Sequence, residues 1–469
     1  MSPRDLDAEL RAAGQGHLVD AVSRSTQLRR QVEALDLDMI ADLVRRFVHS
    51  DETHPAMNLD PPDVVRVPAT DDERERDRVA REAGEHAIRA GEVALVLVAG
   101  GQGTRLGFNG PKGDFPFGSI TGRTLFSHHA AKIAALRGRY GTTTLPWYIM
   151  TSPENDSATR AAFEREDWFG LDPASVHFLV QGTMPAVDRE TGAILLADAD
   201  NLALSPDGHG GLLYALIRDG LIDEMRRTGV RTLFTFQVDN PLVRIARPEF
   251  VGYHRLAGAE MSSVVVRKRE AAERMGVVAK TGFTTMLVEY SDLPVELAER
   301  RLPDGLLAFW GGSIAVHCIE LALVDRIAAT GGRLPFHKAL KPVPHIDHAG
   351  HPVIPDGPNS VKFESFIFDA LPLATATETV EARRGEEFSP IKNAVGSDSP
   401  ESARRDLNLL FAGWLAEAGI EVPRDPAGHP VHAIEIDPRR ALTSTDLTGV
   451  TDIDTTGPIL IAPEAQAID

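Results

Sequence analysis

The sequence predicts an α/β protein: a mixed, mainly parallel sheet flanked by helices, with a helical N-terminal region before it and a small C-terminal domain after it. Three observations carry this. Residues 93–99 (Val-Ala-Leu-Val-Leu-Val-Ala) are continuously apolar and short, which suits a strand buried on both faces. Three further strand-like runs follow, at 147–151, 176–180 and 232–238, with helix-like segments between them, and that alternation implies βαβ units. The 469 residues, 43% hydrophobic and 25% charged, have the composition of an ordinary globular chain and the length of two or three domains.

Taken in order, Leu18, Val22, Leu28, Val32 and Leu35 recur at helical spacing within residues 1–50, until Pro55, Pro61, Pro62 and Pro68 break the pattern. Residues 71–89 are densely charged and read as a solvated helix packed on the main domain. A helix over 124–136 opens with Thr124 as a candidate N-cap. Residues 262–267, 276–279 and 285–289 have no long helix between them and read as antiparallel additions to the sheet. A helix over 401–418 carries Leu407, Leu410, Phe411 and Trp414 on one side, and short strands at 431–436 and 458–461 follow. The expected domains are 1–90, 91–395 and 396–469.

Charge and cysteine content exclude several classes. Lys and Arg number 49 against 68 Asp and Glu, a net charge of −19 that repels phosphate backbones and disfavours nucleic-acid binding. The one cysteine, Cys318, excludes a disulfide framework and multi-cysteine metal sites. Arg4, Asp5, Asp7 and Glu9 leave no room for a signal-peptide core, and no apolar run approaches membrane-spanning length. A soluble cytoplasmic protein without a membrane partner is expected. His337, His345, His348 and His351 cluster within fifteen residues, but prolines surround them and no cysteine is near, so a solvated hairpin is expected there rather than a zinc site.

The richest signal is Ala99-Gly100-Gly101-Gln102-Gly103-Thr104-Arg105-Leu106-Gly107, directly after the first buried strand. Such a loop lets consecutive backbone N–H groups cradle phosphate oxygens. It is not a Walker A loop, because no Gly-Lys-Ser/Thr closes it. It is a poor dinucleotide fingerprint too, since Leu106 stands at the third glycine position. Arg105 within the loop and Lys112 in Pro111-Lys112-Gly113 supply the cations of a triphosphate clamp. From the loop alone, a plain strand-to-loop turn with surface cations remains the competing reading.

Leu97 to Gly107, followed by Pro111-Lys112-Gly113, resembles the signature of the eukaryotic-type UDP-sugar pyrophosphorylases, and most of all that of the UDP-N-acetylglucosamine enzymes. Further blocks resemble the same family in the same order. They include Gln181-Gly182-Thr183-Met184-Pro185-Ala186, Asp207-Gly208-His209-Gly210-Gly211, Val238-Asp239-Asn240, Lys362-Phe363-Glu364-Ser365-Phe366-Ile367-Phe368 and Ser389-Pro390-Ile391-Lys392-Asn393. The resemblance runs from about residue 95 to 395. It implies a GT-A-like nucleotidyltransferase domain. It also implies a reaction, in which UTP and a sugar 1-phosphate give UDP-sugar and pyrophosphate by in-line attack on the α-phosphorus. Catalysis of that kind needs positioning and charge neutralisation, not a protein nucleophile.

What the resemblance implies for single residues is as follows. Arg105, Lys112 and Lys392 act on the phosphates, with the loop residues Ala99, Gly100, Gly101, Gly103 and Thr104 around them. Gln181 and Gly208 contact the nucleoside, since an amide matches the uracil edge and a glycine admits the base. Asp239, at the end of an apolar strand, is the candidate ligand for Mg²⁺ or Mn²⁺. His209, Gly276, Glu289, Ser313, Phe366 and Phe368 form the sugar site, Phe366 and Phe368 being read as alternating along a strand-like segment. Two positions depart from the acetamido-sugar enzymes, which carry Asp-Gly-Asn-Gly-Gly and Asn-Ala-Gly-Asn. This chain has His209 in the first motif and Ser313 in Trp310-Gly311-Gly312-Ser313. N-acetylglucosamine 1-phosphate is the expected substrate, with glucose 1-phosphate or a broad sugar range as the alternative. A non-catalytic relative that binds UDP-sugars is the second alternative.

Overall fold

The computed structural model describes residues 5–50, 58–142, 145–451 and 453–463. The chain divides into two compact units. The first comprises Met1–Asn58, Gln181–Ala215 and Gly332–Asp369, and the second Leu59–Val180, Leu216–Gly331 and Ala370–Asp469. The expected segments 1–90, 91–395 and 396–469 do not coincide with these units, because each unit gathers separate stretches of chain.

The second unit is built on a nine-stranded sheet. Its strands are β1 (Val93–Val98), β2 (Trp147–Thr151), β3 (Val176–Val180), β4 (Thr232–Gln237), β5 (Met261–Arg267), β6 (Val277–Thr281), β7 (Thr284–Val288), β8 (Gly311–Glu320) and β9 (Thr377–Glu381). The order is β7-β6-β8-β4-β1-β2-β3, with β5 also on β8 and β9 on β5. The pairings β1–β2, β1–β4, β2–β3 and β5–β9 are parallel, and β8 runs antiparallel to β4, β5 and β6. All strands except β7 and β8 therefore run the same way. β1 is central and its first five residues are buried, as its unbroken apolar run requires. The expected antiparallel additions appear as β5, β6 and β7. β8, which the sequence showed only as a glycine-rich motif, is a long strand. A bulge between Ser313 and His317 irregularises its pairing with β5, and Ala315 there has a φ of +55°.

Helices cover the sheet. Thr124 caps the helix Leu125–Tyr140 by accepting from the Ser127 N–H, as expected. The charged helix Asp71–Arg89 opens on a Thr70–Glu73 capping box. It belongs to the second unit because Ala80, Gly84, Ala87 and Ile88 form a narrow buried face within its charged surface. That face meets the helix Pro248–Leu256 at backbone distance. A Cβ on Gly84 would lie 1.9 Å from the Pro248 carbonyl oxygen, and one on Gly252 would lie 1.6 Å from that of Ala80. The C-terminal helix Pro400–Glu417 joins the same unit by burying Leu407, Phe411 and Leu415 in its core. The short strands Ile434–Ile436 and Ile459–Ile461 pair in parallel beyond it.

The first unit packs the helices Leu6–Ala12, Val19–Arg24, Thr26–Glu33 and Leu37–Phe47 through Leu10, Leu28, Val32 and Ile40, onto Val187, Ile194, Val361 and Phe363. Asp5, Ser25 and Asp36 cap three of these helices. Strand Ser360–Ser365 pairs antiparallel with Phe336–Lys341 and with Val187–Asp188. This corrects one expectation: the strand ends at Ser365, and Ile367–Leu373 is a 3₁₀ helix, so Phe366 and Phe368 do not alternate along a strand. His345–Ile346 and Pro352–Val353 form a short hairpin whose turn is held by Asp347 accepting from the N–H groups of Ala349 and His351. Pro55 lies outside the described residues. Among the described residues no helix is long and apolar enough to cross a membrane.

Gly252→Ala forces a methyl into the Ala80 carbonyl and is expected to cost about 1–3 kcal/mol, the usual range for overpacking a tight contact. Denaturant unfolding measures it, and a wild-type midpoint would show that the two helices can separate freely.

Candidate active site

The site in the second unit starts where β1 and β4 end side by side. The Val238 N–H donates to the Val98 carbonyl at 3.1 Å, which places Asp239 beside the start of the glycine loop. Carboxyl ends of parallel strands are where α/β folds place ligands. The loop itself is pinned from outside. Ala99 N–H donates to the Met150 carbonyl at 2.8 Å, and the buried Asn155 amide donates to the carbonyls of Ala99 (2.9 Å) and Gly101 (3.2 Å). Lys112 N–H donates to the Gly101 carbonyl at 3.1 Å, which folds Pro111-Lys112-Gly113 back on the loop.

This fold-back sets Lys112 Nζ 3.4 Å from Asp239 Oδ2, with both side chains largely buried. Ile391 N–H donates to the Asp239 carbonyl at 2.8 Å, so Lys392 follows within one residue of the same point. The Lys392 loop closes on itself through N–H groups of Lys392 and Asn393 donating to the Asp398 carbonyl at 2.7 and 2.9 Å. Arg105 stands on the 3₁₀ turn Thr104–Leu106, exposed, with no hydrogen bond or ion pair among the described residues. Lys392 is likewise exposed and its ammonium has no such partner. Lys112, Asp239 and the base of Lys392 are thus brought together, and Arg105 projects from the loop beside them.

Helix Leu125–Tyr140 holds the strand-end segment from beneath, with residues the sequence reading passed over. His129 Nε2 lies 3.0 Å from the Val238 carbonyl, and His128 Nε2 3.1 Å from that of Pro241. Lys132 Nζ donates to the carbonyls of Pro241 (2.6 Å) and Val243 (2.8 Å). Burial pushes His129 down to about 3 and Lys132 down to about 7, against the charge of each. Asn240 completes the frame, donating to the Glu387 carbonyl at 2.7 Å and accepting from Ser389 N–H at 3.1 Å. The available signal was His128-His129 and Lys132 on one predicted helix, but polar helical residues usually mark the solvated side.

Three residues expected at the sugar site also meet in the second unit. Ser313 N–H donates to the Gly276 carbonyl at 2.9 Å, and a Cβ on Gly276 would lie 3.2 Å from Glu289 Oε1. The Ser313 hydroxyl accepts from the Ala315 N–H at 3.2 Å, within the β8 bulge.

The other three meet in the first unit. The rings of Phe366 and Phe368 stack with centroids 5.1 Å apart, and His209 lies 5.3 Å from Phe366 and 5.7 Å from Phe368. His337 packs on Phe366 at 5.0 Å and its Nε2 is 2.8 Å from Asp369 Oδ2. His209 Nδ1 accepts from the Ile367 N–H at 3.2 Å, which leaves Nε2 as the protonated nitrogen of a neutral ring. Desolvation pushes His209 down to about 4. Gly208 has a φ of +85°, and a Cβ there would lie 2.3 Å from the Ser365 carbonyl oxygen, so the turn before His209 needs glycine. Asp207 ties that turn to the strand, its carbonyl accepting from Ser365 N–H (2.8 Å) and Oγ (3.0 Å). Gln181 is buried, and its amide makes no hydrogen bond among the described residues.

A glycine loop after a central parallel strand, with cations and a strand-end carboxylate around it, is the equipment of a nucleotide-handling transferase. The family described as UTP–glucose-1-phosphate uridylyltransferase matches residues 37–398. The chain is 39% identical over 365 residues to UDP-N-acetylhexosamine pyrophosphorylase-like protein 1 of Xenopus tropicalis, covering 76% of this chain and 71% of that protein. It is 38% identical over 347 residues to UDP-N-acetylglucosamine pyrophosphorylase of Saccharomyces cerevisiae, covering 72% of this chain and 73% of that one. The crystal structure of the uridine diphosphate N-acetylglucosamine pyrophosphorylase from Trypanosoma brucei in complex with inhibitor superposes with a TM-score of 0.84 at 25% identity, covering 99% of each chain. The chain belongs to the UDP-sugar pyrophosphorylase family and is a uridylyltransferase.

Because His209 is depressed, the folded protein stays unprotonated there while the unfolded chain takes up a proton. Its contribution to stability is therefore full above about pH 6.5 and is lost as the pH falls toward 4. His209→Gln is expected to flatten the fall in unfolding free energy across that window, and an unchanged slope would show that His209 titrates normally.

Proposed function

We propose that this chain forms UDP-N-acetylglucosamine and pyrophosphate from UTP and N-acetylglucosamine 1-phosphate, with Mg²⁺ as the accompanying ion. The observation that carries the chemistry is the Lys112–Asp239 contact at the ends of β1 and β4. In this reading the sugar phosphate oxygen attacks the α-phosphorus of UTP in line, and pyrophosphate leaves. The N–H groups of Ala99 and Gly103 are already committed to the carbonyls of Met150 and Gly110, and those of Gly100, Gly101 and Thr104 donate to phosphate oxygens. Lys112 and Arg105 offset the charge that grows on the bridging and leaving oxygens, and Lys392 reaches the phosphates from the segment fixed to the Asp239 carbonyl. Bringing the reactants into line supplies the remaining acceleration, so no protein nucleophile is required.

The donor set fits a substrate-borne metal. Among the described residues no group of three or more His, Cys, Asp or Glu is arranged to hold an ion. Asp239 is a single carboxylate, and Mg²⁺ characteristically takes one or two carboxylates together with substrate phosphates and water. Bound there, the ion would neutralise phosphate charge. Asp239 would hold it, and Lys112 would exchange its carboxylate contact for a phosphate one.

The sugar assignment rests on the names of the relatives. Within the second unit, Glu289 and Ser313 offer an acceptor and a hydroxyl to sugar hydroxyls. In the first unit, Gln181 has an uncommitted amide to offer uracil. One observation favours a second reading, a wider tolerance for glucose 1-phosphate. His209 is already engaged by Ile367 and by two rings, so it replaces an amide with a side chain whose only uncommitted polar atom is Nε2. Retention of Arg105, Lys112, Asp239 and Lys392 together argues against a binding-only relative.

Lys112→Ala and Arg105→Ala are each expected to lower kcat by about a hundredfold or more, with the fold intact by circular dichroism. Near-native rates in both would overturn the clamp. Chelation is expected to abolish pyrophosphate release, with Mg²⁺ or Mn²⁺ restoring it; full turnover in excess chelator would remove the metal role. For the sugar, kcat/KM is expected to favour N-acetylglucosamine 1-phosphate over glucose 1-phosphate, and the preference should sharpen in His209→Asn with Ser313→Asn. A strong glucose preference in the wild-type protein would establish the second reading.

A further inference from the structure

A cavity of about 500 Å³ opens in the second unit, away from the glycine loop, and the chemistry described so far leaves it unused. Its volume is within the range that holds drug-sized ligands. The walls come from helix Leu125–Tyr140, the segment 241–248, the C-terminal helix Pro400–Glu417 and residues 436–445. In a chain of net charge −19 it carries six basic side chains, Arg81, Lys132, Arg139, Arg244, Arg247 and Arg383, against the acids Glu386 and Glu417.

Some of that charge is already matched. Arg81 pairs with Glu249, Arg139 with Asp446 and Arg247 with Glu387, while Lys132 serves backbone carbonyls. What remains is hydrogen-bonding capacity. Arg244 approaches Glu249 and Glu387 only at 3.6 and 4.0 Å, and Arg383 approaches Glu386 at 3.6 Å. Neither guanidinium makes a hydrogen bond among the described residues. Arg247 is 8% exposed, and its buried Nε has no hydrogen-bond partner. That one buried donor is costly unless a ligand or water takes it, whereas the Arg244 and Arg383 side chains, 28% and 60% exposed, hold their donors open to solvent or to a ligand. Beside them Leu410, Trp414 and Leu442 give an apolar wall. Arginine forks match phosphate oxygens, and the wall matches a ring or a short hydrocarbon.

Both walls lead to the catalytic segment. Residues 241–247 continue directly from Asp239-Asn240 and are held by Lys132. The helix Pro400–Glu417 begins at Ser399, whose hydroxyl donates to the Gly396 carbonyl at 2.8 Å and so closes the loop that carries Lys392. We infer that this cavity is a second binding site, for a small phosphate monoester with an apolar body, and that its occupancy is transmitted to the UTP site through segment 239–247 and the C-terminal helix. The transmission rests on the function proposed above; the binding does not.

Phenyl phosphate is the probe, with phenol and inorganic phosphate as controls, titrated into the full chain by calorimetry and by tryptophan fluorescence. Phenyl phosphate is expected to bind about tenfold or more tightly than either control, the scale of one added charge-assisted contact. Arg244→Gln with Arg383→Gln should weaken it by a similar factor without changing turnover in the absence of the probe, and Arg383→Lys should retain part of it. Trp414→Phe should remove most of the fluorescence change while calorimetric binding persists. No preference for the phosphate monoester, or equal binding by the arginine variant, overturns the site. Binding lost in Lys112→Ala would place the probe at the glycine loop and overturn it as well. Binding with no change in kcat or in KM for UTP overturns the transmission. Absence of turnover in the wild-type protein, with binding kept, counts against the proposed function alone.

Discussion

An ammonium and a carboxylate held 3.4 Å apart at the ends of two adjacent parallel strands are the contact on which the rest of the site depends. Such a pair is weak evidence for stability, since the cost of desolvating two charges offsets most of their attraction. The surrounding structure nevertheless fixes both partners. Lys112 is folded back by its backbone bond to Gly101, and the carbonyls around Asp239 are held by His128, His129, Lys132 and Ile391. Structure committed to placing a weak pair is better understood as preorganisation for a charged ligand than as a device for holding the fold.

The cost of that frame is visible in its protonation. His129 and Lys132 are buried where their charged forms are disfavoured, and each points a ring or ammonium nitrogen at backbone carbonyls of the 238–243 segment. A segment without regular structure exposes carbonyls that need partners. Here the partners come from one face of one helix. This makes the helix Leu125–Tyr140 both a cover for the sheet and the support of the strand-end loop.

The parts of the molecule that the sequence displayed are those in which one physical demand dominates. β1 was legible because burial on both faces leaves no position for a polar residue, and the glycine loop because its tight fold leaves little room for side chains, a Cβ on Gly103 lying 2.7 Å from the Phe108 ring. β8 was not, because it begins with two glycines and is bulged between Ser313 and His317. The strands Phe336–Lys341 and Ser360–Ser365 carry lysines and a glutamate at half-buried or exposed positions, which blurred their period. Phe366 and Phe368 do stack, as their neighbourhood suggested, but across the start of a 3₁₀ turn rather than along a strand. His128, His129 and Lys132 were missed because a sequence does not say whether a polar helical face meets water or a loop of carbonyls. The residues expected at the sugar site separate into Gly276, Glu289 and Ser313 in one unit and His209, Phe366 and Phe368 in the other, a division that chain order alone does not reveal.

If Lys112 and Asp239 form one charge centre for uridylyl transfer, their contributions to the chemical step are coupled. A double-mutant cycle on kcat for pyrophosphate release, with Lys112→Ala, Asp239→Asn and the combined variant, measures that coupling. The expected result is a large loss in each single variant, a combined loss clearly smaller than the product of the two, and unfolding free energies that scarcely move. Small single losses, or a combined variant that regains the native rate, would mean that the pair is only a structural ion pair, and would contradict the assignment of the reaction to this site.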